Sequence, residues 1–179
     1  MLGPPPIMKI KLPFICCALS ALCGSSLLLA QTKQVTVNAT VPEMMNLTVD
    51  VTTVSFVFAA ADYETTTGIA TKSVAGATKF SINANRTWKL TAQAGNTTFT
   101  FLPTATDPKK PSSDLSIRTG SAAYAPFSGV LALPVANGGR GGFGAAGNVV
   151  SVDYQMTSDL SKDLPGSYAL TLTYTLVAQ

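Results

Sequence analysis

Gly139-Arg140-Gly141-Gly142-Phe143-Gly144 has the G-x-G-x-x-G spacing with which a glycine turn brings a dinucleotide's pyrophosphate onto a helix N-terminus. That chemistry needs a helix directly after the last glycine, because its free N–H groups bind the phosphate oxygens. Here the motif runs into Ala145, Ala146 and Gly147, and then into the β-branched pair Val149 and Val150. The stretch is therefore predicted to be a flexible loop with Arg140 at its tip, open to contact with a partner, and no cofactor is assigned.

The rest of the reactive inventory is thin. The chain has no histidine, and its three cysteines, Cys16, Cys17 and Cys23, all fall in the first 30 residues. Beyond them the commonest general base, the thiol nucleophile, most zinc ligands and any disulfide are absent. Carboxylates remain. Asp62 and Glu64 are close in sequence, as are Asp159 and Asp163, but neither pair has calcium-loop spacing. They are read as solvated loop charges, and Asp153 as a charge on the polar face of its strand beside Ser151 and Gln155. No catalytic or metal-binding residue is assigned, and the chain is predicted not to be an enzyme. Four Asn-x-Ser/Thr sequons, at Asn38, Asn46, Asn85 and Asn96, would matter only in a eukaryotic secretory pathway.

Residues 1–30 read as a secretory signal, with Met1 or Met8 as the start. Lys9 and Lys11 supply a basic region, an apolar stretch follows from Leu12, and Ala30 suits cleavage. Pro13 and the run Gly24, Ser25, Ser26 argue against a membrane span, so no transmembrane segment is expected after the signal is removed. Of 12 basic and 9 acidic residues, two basic ones go with the signal, leaving a near-neutral exported chain whose Lys and Arg are scattered. A nucleic-acid footprint is missing. The expected location is extracytoplasmic: periplasm, cell surface or medium.

A period of two dominates residues 31–179, which are expected to form one domain. Val35, Val37, Ala39 and Val41 alternate with polar residues up to Pro42. Leu47, Val49 and Val51 hold one register and Val54, Phe56 and Phe58 the opposite one, which fits two short strands or one bent strand. Residues 59–76 read as a Thr-rich loop. Phe80, Ile82 and Ala84, then Trp88, Leu90, Ala92 and Ala94, form one kinked strand or two, and Trp88 is expected in the core with a partner for its indole N–H. Gly95-Asn96 predicts a hairpin to a strand at Phe99 and Phe101. Further strands are expected at 115–118, 130–135 and 150–156. The last strand puts Tyr168, Leu170, Leu172, Tyr174 and Leu176 on one face and Thr171, Thr173 and Thr175 on the other. Eight or nine short strands without helical periodicity predict an all-β, antiparallel, immunoglobulin-like β-sandwich.

Two bacterial surface families are similar at these residues. The alternating Gln34-Val-Thr-Val-Asn-Ala-Thr-Val41, the closing Gly166-Ser-Tyr-Ala-Leu-Thr-Leu-Thr-Tyr174 and the lack of cysteine after residue 30 resemble the disulfide-free, CS1-type subunits of chaperone–usher fimbriae. That resemblance implies a pilin-like structural or adhesive subunit. Its partners would be further surface subunits, including copies of itself, and a periplasmic chaperone and usher. Tyr174 is not penultimate, as a tyrosine is in many such subunits. Trp88-Lys89-Leu90, with Tyr168, Leu172 and Leu176 spaced as in the distal motif, resembles the WxL cell-surface domain, although Tyr174 stands where its second tryptophan belongs. This second resemblance implies binding of cell-wall glycan. The sequence thus offers Val35, Val37, Ala39 and Val41 as an assembly strand, and Tyr168, Leu170, Leu172, Tyr174 and Leu176 as the strand beside which it would lie. The pairing is either within one molecule, closing the sandwich, or between molecules, by donor-strand complementation.

Overall fold

Among the described residues, alternation of apolar and polar side chains becomes ten antiparallel strands: β1 (Met45–Val49), β2 (Ile69–Ala84), β3 (Trp88–Ala94), β4 (Thr100–Leu102), β5 (Leu115–Thr119), β6 (Ala125–Pro126), β7 (Leu133–Gly138), β8 (Val149–Asp159), β9 (Ser167–Ala169) and β10 (Leu172–Ala178). The computed structural model describes residues 33–102, 106–129 and 131–179. The signal-peptide reading and the three cysteines fall outside these residues. No described helix is long and apolar enough to cross a membrane. The chain divides into two compact units at residue 40. Of the first unit, residues 33–39 are described, and they are exposed and form neither strand nor helix.

The second unit is the sandwich. Five strands form one sheet in the order β1-β2-β8-β5-β6, three form another in the order β10-β3-β7, and β4 and β9 make a small third pair. The core lies between the two larger sheets. Phe80, Ile82, Val150, Val152 and Tyr154 fill it from one side and Trp88, Leu90 and Ala92 from the other. Tyr174 of β10 reaches across, its ring 4.3 Å from that of Phe80 and its hydroxyl 2.6 Å from that of Tyr154.

Trp88 is fully buried and donates its indole N–H to the Gly139 carbonyl at 3.0 Å. Its ring lies so close to Gly138 that a Cβ there would come within 2.2 Å of it. Part of the glycine-rich stretch therefore serves packing. Gly141 pairs its backbone with Ala84, and Asn148, also buried, ties Ile82 and Gly141 together. After Gly144 come turns and then β8, with no helix.

The structure corrects several expectations. Residues 34–41 are assigned to no strand within the single chain. The expected loop at 59–76 is half strand, since β2 begins at Ile69. Its pattern was masked by Lys72 on the core-facing parity and by a bulge between Val74 and Thr78, where Gly76 has φ +58 and donates its N–H to Asp153. Asn85 to Thr87 separate β2 from β3. The strand after Gly95-Asn96 does not return along β3 but pairs with β9, because the buried rings of Phe99 and Phe101 find their cover on Tyr168, at 6.4 and 4.9 Å. The final segment is correspondingly two strands, β9 and β10, although its inward parity runs unbroken through Leu170.

Candidate functional site: an open side between two sheet edges

β10 is paired on one side only. Gln179 donates its N–H to the Thr87 carbonyl and Gly95 donates to Thr171, so the odd-numbered residues of β10 exchange their hydrogen bonds with β3. The even-numbered residues, Leu172, Tyr174, Leu176 and Ala178, point N–H and C=O outward, where no strand pairs with them among the described residues. These residues share the face of Ala94, Ala92, Leu90 and Trp88, so their side chains point at the core. Leu172, Tyr174 and Leu176 nevertheless stay half-exposed. The edge offers apolar side chains and unpaired main chain together.

β1 mirrors it as the edge of the five-stranded sheet. Asn85 donates to the Met44 carbonyl and Asp50 to the Lys79 carbonyl, which leaves Met45, Leu47 and Val49 with their main chain outward. Met45 and Leu47 are half-buried against the core. Beyond Asp50 the chain runs on without ladder bonds, yet Val54, Phe56 and Phe58 also pack on the core. Lys72 holds this stretch by donating to the Val57 carbonyl at 2.6 Å and pairing with Asp62 at 2.7 Å. β1 and β10 approach each other as the terminal strands of the two sheets, and the side of the sandwich they bound is open only in that no further strand pairs along either edge among the described residues.

The residues singled out in the sequence are thus partly brought together. Leu172, Tyr174 and Leu176 line the open side on β10, Leu170 precedes them in phase, and Tyr168 sits on β9 against Phe101. Val35, Val37 and Val41 are 84%, 85% and 79% exposed, and Ala39 is exposed as well. Sequence reading missed β1 and the 54–58 stretch as the opposite wall. The inward register of Val54, Phe56 and Phe58 was visible, but not what it faced.

Most of the carboxylates are tied to cations or main chain, and Glu64 accepts from the Thr67 hydroxyl at 2.9 Å. Lys72 holds the Asp62 carboxyl below its usual range by a hydrogen bond, as Lys109 does for Asp107 and Lys162 for Asp159, while the Gly76 N–H and then Arg118 do so for Asp153. A general acid needs the opposite shift. Asp163 departs from the reading as solvated loop charge. Its carboxylate and that of Asp114 hold the buried Lys110 at 2.6 and 2.8 Å, and the same Asp163 oxygen accepts from Ser158 and the Asp159 N–H. Lys110 also donates to the Thr157 carbonyl, so the network is satisfied and fastens the 106–114 segment to the end of β8. Among the described residues no group of three or more His, Cys, Asp or Glu side chains has an arrangement that could hold a metal. Neither a protein-family model nor a curated protein matches the sequence.

Proposed function

We propose that this chain is an exported, non-enzymatic structural subunit of a bacterial cell surface, pilin-like and built on an immunoglobulin-like sandwich. It joins copies by laying the 35–41 segment of one along the open side of another. The observation that carries the reading is complementarity. Leu170, Leu172, Tyr174 and Leu176 form a row of four inward apolar positions beside unpaired main chain, and Val35, Val37, Ala39 and Val41 form four exposed apolar positions at the same spacing. Each row spans about 20 Å at ~3.3 Å per residue. Main-chain hydrogen bonds supply affinity in such an addition, and alternate side chains supply selectivity. Head-to-tail contacts of this kind do not close and so produce fibres.

Export through the 1–30 leader, and delivery by a periplasmic chaperone and usher, belong to the same proposal. The glycan-binding alternative has less support, because Trp88 and Leu90 of the WxL-like motif are fully buried and offer no face to a sugar.

The test is removal of residues 32–42. The truncated protein is expected to stop assembling, to melt at a lower temperature, and to regain stability with a synthetic peptide of those residues. Unchanged stability and indifference to the peptide would sink the proposal.

A further inference from the structure

We infer that the corner formed by Asn85 and Arg86 commits the 35–41 segment to a neighbouring copy by preventing its return into its own open side. This inference rests on the reading of that side given above. Within one molecule, a segment that precedes β1 directly can lie beside β1 and β10 only by reversing between Val41 and Met45. Hairpin connections of two residues, and the commonest of three, place a residue at positive φ. None of Pro42, Glu43 and Met44 has a positive φ, and the proline ring holds Pro42 near about −65°.

The backbone there is tied instead to the end of β2. Asn85 acts as a clamp: its side-chain amide donates to the Pro42 carbonyl at 2.6 Å, its side-chain oxygen accepts from the Met44 N–H at 2.9 Å, and its own N–H donates to the Met44 carbonyl at 3.1 Å. Met44 opposite Asn85 is the next step of the register that pairs Met45 with Ala84, so the β1–β2 ladder is carried one residue further. Arg86 pairs with Glu43 at 2.7 Å from the same corner. A reversal at 42–44 would break all of these contacts at once. The clamp leaves the open side to be filled by a segment from elsewhere.

Two variants of the exported chain test this, read by light scattering after size exclusion over a range of concentrations. Met44→Gly puts a glycine at the left-handed third position of a 42–44 turn, the common three-residue hairpin loop, which sets Val41 opposite Met45 and so keeps Val35, Val37, Ala39 and Val41 on the core-facing parity of Met45 and Leu47. It is expected to raise the monomer fraction at least tenfold at equal concentration, and to yield a monomer that no longer responds to added 32–42 peptide. Asn85→Ala with Arg86→Ala, which loosens the clamp without building a turn, is expected to shift the balance the same way by a smaller factor. Exchanging the charges, Glu43→Arg with Arg86→Glu, should restore association relative to Arg86→Glu alone. If both clamp variants associate as the unaltered chain does, the clamp does not decide the outcome and the inference is overturned while the open-side reading stands. If the unaltered chain stays monomeric and the truncated protein ignores the peptide, the open-side reading itself fails, and the inference with it.

Discussion

β3 and β10 are partners in one ladder and present one face to the core, yet they live in different environments. Trp88, Leu90 and Ala92 on β3 have no exposed surface, while Leu176 and Tyr174, paired with Leu90 and Ala92, are only half-buried. Side-chain type does not account for the contrast. β3 has a strand on both sides and β10 on one, so a leucine on the outer strand keeps contact with water along its free flank. The opposite edges of the two sheets are managed differently. β6 is two residues long and includes Pro126, and β7 carries Pro134 and ends on Gly138, features that discourage further pairing. The side bounded by β1 and β10 lacks these devices.

The comparison is sharpest where both strands are truncated to alanine. Trp88→Ala is expected to cost about 3 to 5 kcal/mol in urea unfolding, the range for a large buried aromatic whose cavity cannot collapse. Leu176→Ala in the protein lacking residues 32–42 should cost less, about 1 kcal/mol, because part of its surface is already wet. With the 32–42 peptide bound, the cost of the same substitution should rise towards the ~2 kcal/mol or more of a buried leucine. Equal losses with and without peptide would break the comparison, since they would mean that β10 gains no cover. Gly138→Ala tests the closed side: with no room beside Trp88, it should destabilise by about 1 to 3 kcal/mol through overpacking.

Tyr174 gives a subtler probe. Burial, and next the neighbouring Tyr154, push its phenol well above the ordinary tyrosine value. An acid that holds its proton more tightly when folded contributes stability that is intact below the unfolded pKa, about 10, and is lost as pH rises beyond it. The urea midpoint should therefore fall between pH 9.5 and about 11 more steeply for the unaltered protein than for Tyr174→Phe. Parallel pH profiles would place the hydroxyl in water. The smallest effect belongs to Thr173→Ala on the outer face of β10, expected within about 0.5 kcal/mol in the same assay. A loss as large as that of Leu176→Ala would mean that β10 is out of register by one residue.

The strand content and inward parity were legible wherever alternation was clean. Phe80 to Ala84, Trp88 to Ala94, Val150 to Met156 and Leu172 to Leu176 could be assigned because period two is a local property, visible in any few residues. Ile69 to Gly76 could not, because Lys72 occupies an inward position that only the 57–62 stretch makes tolerable, through the Val57 carbonyl and Asp62. Lys110 and Asp163 looked like scattered surface charges for the same reason, since their partners lie 53 residues apart.

By itself, then, the sequence determined an all-β chain, the faces of its main strands, the burial of Trp88 and an apolar alternating segment at 35–41. Each follows from residue type and near spacing, which fix what a strand shows on either face. Tertiary structure decided which strands are neighbours: that β4 joins β9 and not β3, that β1 and β10 are edges flanking one open side, and that Asn85 ties Pro42 and Met44 to the end of β2. Strand order rests on contacts between residues far apart in the chain, whose hydrogen bonds are made by main-chain groups that every residue carries alike, so the local pattern cannot encode which partner is chosen.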